Sequence, residues 1–212
     1  MRIINGKYRI DKLISNSRSY SMYEAIDITK NKRKVNIYIL NSIHVEKTLL
    51  EMYIKEFEKT SLLSDSYINI LEFGSTVNSS SKEKKVEYFY ATESISDYKS
   101  LMDMIDEISV EVLLDIFVKI CKLAQEQCYS YIKTMPFSLE SIYVSSDNRV
   151  KMKDKITALL DCRELGIYIH YDSNDNYKDS VFSNNKANNE KYYVEKLREI
   201  LISMVLQNKG VK

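Results

Sequence analysis

The sequence predicts an α+β fold in which a strand-rich amino-terminal part precedes a mainly helical carboxy-terminal part. Apolar and polar residues alternate with a period of two from Lys34 to Leu40, which is typical of a half-buried strand. Apolar residues then recur at helical spacing from Leu113 to Ala124 and again from Val194 to Val205. Strand signals therefore lie early in the chain and helix signals late.

The expected elements of the first part follow one another along the chain. Residues 7–41 are predicted to form three strands, and residues 46–63 a helix with apolar residues on one side. Residues 68–73 and 86–92 are predicted to be strands joined by the polar turn 78–85. These assignments give five strands before residue 94.

The second part is expected to contain fewer strands. Residues 113–124 and 194–205 predict helices, and residues 150–156 predict a strand. Residues 172–189 are rich in Asn, Asp, Ser and Lys and have almost no apolar content. Such a segment cannot bury enough apolar surface to order itself, so we expect a mobile loop there.

Composition excludes several function classes. The 212 residues include 31 basic and 30 acidic side chains, and a net charge of +1 gives no general attraction to nucleic acid. No apolar stretch reaches 18 residues, and the amino terminus lacks the apolar core of a signal peptide. Three cysteines without paired metal spacing suit a reducing compartment. We expect a cytoplasmic protein that binds neither membrane nor nucleic acid and holds no metal.

Five residues of the first part stand at telling intervals: Ser15, Ser17 and Tyr20 in a short polar segment, Tyr38 in the next predicted strand, and Glu56 in the predicted helix. Their order resembles the motif order of the bacterial Ser/Thr protein kinases, with most of the functional residues replaced. Ser15, Ser17 and Tyr20 take the places of the three glycines of the family's phosphate-binding loop. Tyr38 takes the place of the lysine that pairs with the phosphates, and Glu56 that of the glutamate that pairs with that lysine. The resemblance therefore implies a degenerate member with poor phosphate affinity.

The resemblance continues in the second part of the chain. Pro136 takes the place of the catalytic base, Ser138 that of the following lysine, and Ser141 that of the metal-binding asparagine. Asp154 takes the place of the magnesium-binding aspartate and is the one such residue that is kept. We expect Asp154 to be an ordinary loop carboxylate, with a weak metal contact as the alternative.

The family also implies a fold and a place for adenine. The implied fold is a protein kinase-like bilobal one: a five-stranded antiparallel N-lobe with helix C at 1–93, and a mainly helical, shortened C-lobe at 94–212 that ends near helix F. Glu93, Ser94 and Ile95 would form the hinge whose backbone binds adenine in the family. An adenine-sized pocket could persist there, but we favour a cleft filled by Tyr20, Tyr38 or Met135.

We therefore expect a catalytically inactive pseudokinase, without a cofactor, that acts as a protein-interaction, scaffolding or regulatory module rather than as an enzyme. One alternative is an atypical nucleotide-binding phosphotransferase that uses Asp154. Another is a structural protein of a larger assembly, such as a spore layer. A protein partner or a second copy is expected to bind the apolar stripe that a shortened C-lobe would leave uncovered. The stripe comprises Leu197, Leu201, Met204 and Val205.

Overall fold

A computed structural model gives the fold of the chain. The structure describes residues 2–41, 65–78, 85–129, 137–164 and 186–208. The chain forms two compact units, Met1–Ser96 and Asp97–Lys212. The lobe boundary predicted from the sequence, after residue 93, lies close to the end of the first unit at Ser96.

The first unit contains one antiparallel sheet. Its strands are β1 (Ile3–Ile4), β2 (Tyr8–Asn16), β3 (Tyr20–Asp27), β4 (Arg33–Leu40), β5 (Ile70–Asn78) and β6 (Lys85–Glu93). Their order across the sheet is β1-β2-β3-β4-β6-β5, so β1 and β5 are the two edge strands. Every neighbouring pair is antiparallel.

Two tight turns set the register of the first four strands. Asn5 and Gly6 lie in the turn between β1 and β2 with φ values of 52° and 63°, and Asn31 and Lys32 end the turn between β3 and β4 with φ values of 46° and 56°. Two successive residues with positive φ are the mark of the hairpin turn that matches strand twist, and Asn-Gly is its favoured sequence. The first turn adds β1, a strand that was not predicted from the sequence.

Side chains from the start of the chain connect one edge of the sheet to the other. The Tyr8 hydroxyl donates to Glu72 Oε2 at 2.7 Å, and Lys7 Nζ bonds the same oxygen. Arg2 pairs with Glu87 on β6. Burial alone would raise the pKa of Glu72, but the hydrogen bonds from Lys7 and Tyr8 hold it below its ordinary value. The sheet is thereby curled into a nearly closed barrel.

The inside of this barrel is apolar. Tyr8 and Phe89 meet edge to face with ring centroids 6.1 Å apart, and both side chains are buried. The core cluster consists of Ile4, Tyr8, Ala25, Val35, Ile37, Ile39, Phe89 and Ala91. Residues from β1 to β4 and from β6 thus share one core, which is why the short β1 is part of the fold.

Gly74 leaves the space that the buried Phe89 ring fills. The two residues are paired across β5 and β6, and a Cβ at position 74 would lie 3.0 Å from two atoms of the Phe89 ring. We expect Gly74→Ala to destabilise the protein by about 1–3 kcal/mol, since overpacking a closed core outweighs the entropy that alanine removes from the unfolded chain. Urea unfolding measures this. Ser75→Ala, on the exposed side of the same strand, is the control, and an equal effect of both changes would contradict the packing argument.

The second unit combines helices with a small sheet. Its elements are β7 (Tyr98–Ser100), α1 (Leu101–Met104), α2 (Val110–Tyr129), a 3-10 turn (Leu139–Ser141), β8 (Ile142–Ser145), β9 (Val150–Met152), α3 (Lys155–Glu164) and α4 (Lys186–Gln207). The three strands form an antiparallel sheet in the order β7-β8-β9. The long helices α2 and α4 pack against each other.

The structure contradicts the fold class expected from the sequence. The first unit has a six-stranded, nearly closed sheet instead of a five-stranded lobe with helix C, and its described residues contain no helix. The second unit combines its helices with a three-stranded antiparallel sheet that the expected C-lobe did not include. The kinase-like bilobal fold is therefore wrong. The predicted helix at 46–63 lies outside the described residues. Residues 172–185 of the predicted mobile loop also lie outside them, and the last residues of that predicted loop, 186–189, begin α4.

Candidate functional site

Three buried tyrosines lie side by side on the face of the first sheet opposite its core cluster. The Tyr38 and Tyr90 rings are stacked at 4.5 Å with an interplanar angle of 4°, and the Tyr20 ring lies 5.5 Å from that of Tyr38. Tyr38 is 3% exposed and Tyr90 is fully buried. The side chains come together because Tyr38 is paired with Tyr90 in the β4–β6 register. At this place the sheet surface is packed with aromatic rings.

The turn between β2 and β3 uses its backbone donors within itself. Ser17 Oγ accepts from the backbone N–H groups of Ser19 and Tyr20, each at 3.2 Å. The Ser17 N–H donates to the Tyr20 carbonyl at 2.8 Å. Asn41 Nδ2 donates to the Arg18 carbonyl at 2.9 Å and fixes the turn from the end of β4. A loop that binds an anion offers its N–H groups outward. In this turn the donors of residues 17, 19 and 20 point to partners in the chain.

Ser15, the first of the three glycine-position residues, lies on β2 itself. It pairs with Met22 across the β2–β3 hairpin, next to an irregularity in the register. Its side chain is exposed. Of the three positions, Ser15 is therefore a strand residue, Ser17 closes the turn, and Tyr20 joins the buried aromatic cluster.

The predicted hinge residues form the end of β6 and the chain just beyond it. The Glu93 N–H donates to the Asn69 carbonyl at 2.8 Å, and Glu93 Oε1 accepts from the Asn69 N–H at 2.8 Å. The Ile95 N–H donates to Asn36 Oδ1 at 2.8 Å. Ser94 Oγ accepts from the Ser96 N–H. The backbone donors of residues 93, 95 and 96 are all bonded within the chain.

Asp154 is buried at the beginning of α3. Its Oδ1 accepts from the Thr157 N–H at 2.8 Å, its Oδ2 accepts from the Thr157 hydroxyl at 2.5 Å, and the residue is 1% exposed. This is the geometry of a helix N-cap. Burial raises the pKa of Asp154 to about 6, although the hydrogen bonds from Thr157 act in the opposite direction. The structure therefore places Asp154 in a helix cap, not in an open loop.

The raised pKa of Asp154 makes stability depend on pH in a known direction. The folded chain keeps the proton to about pH 6, whereas the unfolded chain loses it near the ordinary pKa of 3.8. Stability therefore falls as the pH rises between these values, and the loss is complete above pH 6. We expect Asp154→Asn, which keeps the cap acceptor, to stabilise the protein at pH 7 by on the order of 1–3 kcal/mol and to have less effect at pH 5. Thermal unfolding at both pH values measures the difference.

The control for this prediction is Asp154→Ala, which removes the cap at either pH. We expect a loss of about 0.5–2 kcal/mol from the missing cap, offset at pH 7 because the buried charge is removed as well. An Asp154→Asn effect that is equal at pH 5 and pH 7 would show that the carboxyl titrates normally.

The remaining kinase-position residues have structural contacts where they are described. Ser138 and Ser141 close the 3-10 turn: the Ser138 N–H donates to Ser141 Oγ at 2.9 Å, and that hydroxyl donates to the Ser138 carbonyl at 2.9 Å. The Ser141 carbonyl accepts from the Lys153 N–H at 2.7 Å, which ties the turn to the end of β9. Glu56 and Pro136 lie outside the described residues, as does Met135.

The predicted apolar stripe on α4 divides between two sides of the helix. Met204 is fully buried, and so it belongs to the core of the second unit and not to its surface. Leu201 and Val205 are 36% and 44% exposed, and Leu197 is half-buried. The exposed side also carries three residues that the candidate set left out: Val194, Ile202 and Leu206. Leu206, with 76% of its surface exposed, is the most open of them.

We call Leu201, Ile202, Val205 and Leu206 the α4 patch. The four residues occupy two adjacent i, i+4 rows near the end of the helix, so their side chains lie next to one another. No charged residue occurs between Ile200 and Asn208. The patch is therefore an uncharged apolar surface.

The opposite side of α4 fixes the helix to the rest of its unit. Tyr193, Ile200 and Met204 are buried, and the Tyr193 ring meets Phe137 edge to face at 5.8 Å. Asn208, 1% exposed, ends the helix by donating from Nδ2 to the carbonyls of Ile105 and Ile108 at 2.7 and 2.9 Å. These bonds hold the last turn in place, so the α4 patch is presented on an anchored helix.

No family model and no curated protein matches the chain. The resemblance to protein kinases thus stays a prediction from the sequence. Within the described ranges, no cluster of three or more His, Cys, Asp or Glu side chains could hold a metal ion. None of the described helices is long and apolar enough to cross a bilayer.

Proposed function

We propose that the chain is a non-catalytic association module in which two copies pair through the α4 patch. The observation that carries the proposal is the patch itself: four neighbouring apolar side chains exposed on a helix whose other side is buried. Contiguous apolar surface on a protein in water marks a site of association, because covering it releases the surface from water.

The charge of the chain favours a second copy of the chain as the partner that covers the α4 patch. A net charge of +1 leaves little repulsion between copies. In a dimer with a two-fold axis, the α4 patch of one copy contacts the α4 patch of the other. Because the patch contains no charged residue, this contact buries no pair of like charges. The ion pairs of α4 lie earlier in the helix, at Lys191–Glu195 and Lys196–Glu199. They would border the contact and remain in water.

The non-catalytic part of the proposal is supported by the hydrogen bonds of the first unit. The backbone N–H groups of residues 17, 19 and 20 in the turn and of residues 93, 95 and 96 after β6 are bonded within the chain, and the Tyr38 cluster fills the neighbouring sheet surface. Asp154 gives both carboxylate oxygens to Thr157 in a buried cap, which disfavours a phosphotransferase built on this residue.

Hydrogen exchange at low and high protein concentration tests the pairing and locates it. We expect the amides of residues 197–208 to exchange more slowly at high concentration, because pairing suppresses the opening of that part of α4. Helix α2, which also has exposed apolar residues, is the internal control and should not change. Exchange in α4 that is independent of concentration would contradict the proposal.

Nucleotide addition tests the non-catalytic part separately. We expect the unfolding midpoint to stay the same when millimolar ATP and magnesium are added, since a ligand raises the midpoint only if it binds the folded state. A magnesium-dependent rise would show that the chain binds nucleotide and would overturn this part of the proposal while leaving the pairing in place.

A further inference from the structure

Asn36 is a polar residue inside a strand that is otherwise apolar and buried. The rest of the inner part of β4, from Val35 to Leu40, consists of Val, Ile, Tyr and Leu side chains that are all buried. Asn36 is 2% exposed and faces the side of the sheet that carries Tyr38 and Thr92. A buried amide oxygen without a partner destabilises the fold, so the partner of this one is informative.

That partner is a backbone group far away in the sequence. Asn36 Oδ1 accepts from the Ile95 N–H at 2.8 Å. Ile95 follows β6, where the chain leaves the sheet, and the first unit ends one residue later at Ser96. The side-chain amide of Asn36 therefore accepts the hydrogen bond that a neighbouring strand would accept from Ile95 if β6 continued.

Other bonds fix the same short stretch. Glu93 is bonded to Asn69 through its N–H and its side chain, as already described. The Thr92 hydroxyl donates to the Glu93 carbonyl at 2.9 Å, and the Ser94 hydroxyl bonds Ser96 through both the backbone N–H and the side chain. Of these contacts, only the one from Asn36 ties Ile95 to the interior of the sheet.

We propose that Asn36 is a positioning residue that latches the segment after β6 onto β4, so that the chain leaves the first unit from a fixed point. The segment from Ser94 to Ser96 is then an extension of the sheet that belongs to the first unit. Because the Ile95 N–H is occupied by Asn36, it is also withdrawn from any ligand that would need this donor. This second consequence rests on the hydrogen bond alone and does not depend on pairing through α4.

Exchange of the Ile95 amide, measured by NMR in the full chain, tests the latch. In the wild type we expect Ile95 to be protected although it lies outside any strand. Asn36→Leu, which has a similar volume but no acceptor, should speed this exchange by about 10-fold or more, while the Ala91 amide within β6 changes little. Asn36→Asp keeps the acceptor and should retain the protection of Ile95.

Two results would contradict the proposal that Asn36 holds the segment after β6. An unprotected Ile95 amide in the wild type would do so without any variant, and this readout decides the question even if Asn36→Leu does not fold. Equal protection of Ile95 in the wild type and in a folded Asn36→Leu variant would show that the side chain of Asn36 does not hold the segment.

Discussion

Replacing Tyr38 by alanine is expected to destabilise the protein by about 3–5 kcal/mol, the range for deleting a buried aromatic side chain. The ring is 3% exposed, stacked on Tyr90 at 4.5 Å and flanked by Tyr20 at 5.5 Å. Its removal leaves a cavity between two rings that β-sheet pairing holds in place, so the neighbours cannot close the gap easily. Urea unfolding followed by circular dichroism measures the loss.

Tyr38→Phe separates the ring from its hydroxyl. Phenylalanine keeps the stacking on Tyr90, and we expect it to cost less than about 1.5 kcal/mol. If both variants lose the same stability, the hydroxyl and not the ring maintains this part of the sheet. If neither loses stability, the aromatic cluster does not contribute to the fold.

The second large effect is expected on the α4 patch. Leu206→Glu should abolish self-association, since pairing through the patch would bury a carboxylate from each copy against apolar side chains. Leu206 is 76% exposed in the single chain, so the substitution should leave the fold and its unfolding midpoint nearly unchanged. Light scattering across a concentration series measures the molar mass.

Leu114→Glu is the matched control. It makes the same change of residue and charge on an exposed leucine, 55% accessible, in a different helix. We expect this variant to associate as the wild type does. Loss of association in both variants would indicate that added negative charge, and not the α4 patch, governs the result.

The sequence predicted the strands and long helices better than it predicted the fold that they build. The alternation in β4 and the helical periodicity in α2 predicted a strand and a helix, and both elements are present. The alternation indicated a half-buried strand, however, whereas β4 is buried on both faces from Val35 to Leu40. Strand β1, which was not predicted, has a sequence signal: Asn5-Gly6 between Ile4 and Tyr8 is a hairpin turn sequence. Strand β7 has only three residues, too few to show a period. Strand β9 was predicted within residues 150–156, but it ends at Met152 and a helix begins at Lys155.

The candidate site was harder to predict because its properties depend on contacts between distant residues. Asn36 is an unremarkable strand position in the sequence, and its role follows only from its bond to Ile95. Periodicity on α4 grouped Met204 with Leu201 and Val205, although Met204 faces the core. When apolar residues cover more than half of the circumference of a helix, the sequence pattern alone does not predict which side is buried. The burial of Asp154 likewise requires the packing around α3.

Sedimentation equilibrium of the wild-type chain is the most direct test of pairing through α4. We predict a reversible monomer–dimer equilibrium at micromolar concentrations that Leu206→Glu shifts fully to the monomer while Leu114→Glu leaves it in place. A wild-type chain that stays monomeric over the whole concentration range, or a dimer that persists in Leu206→Glu, would contradict the proposal that two copies associate through the α4 patch.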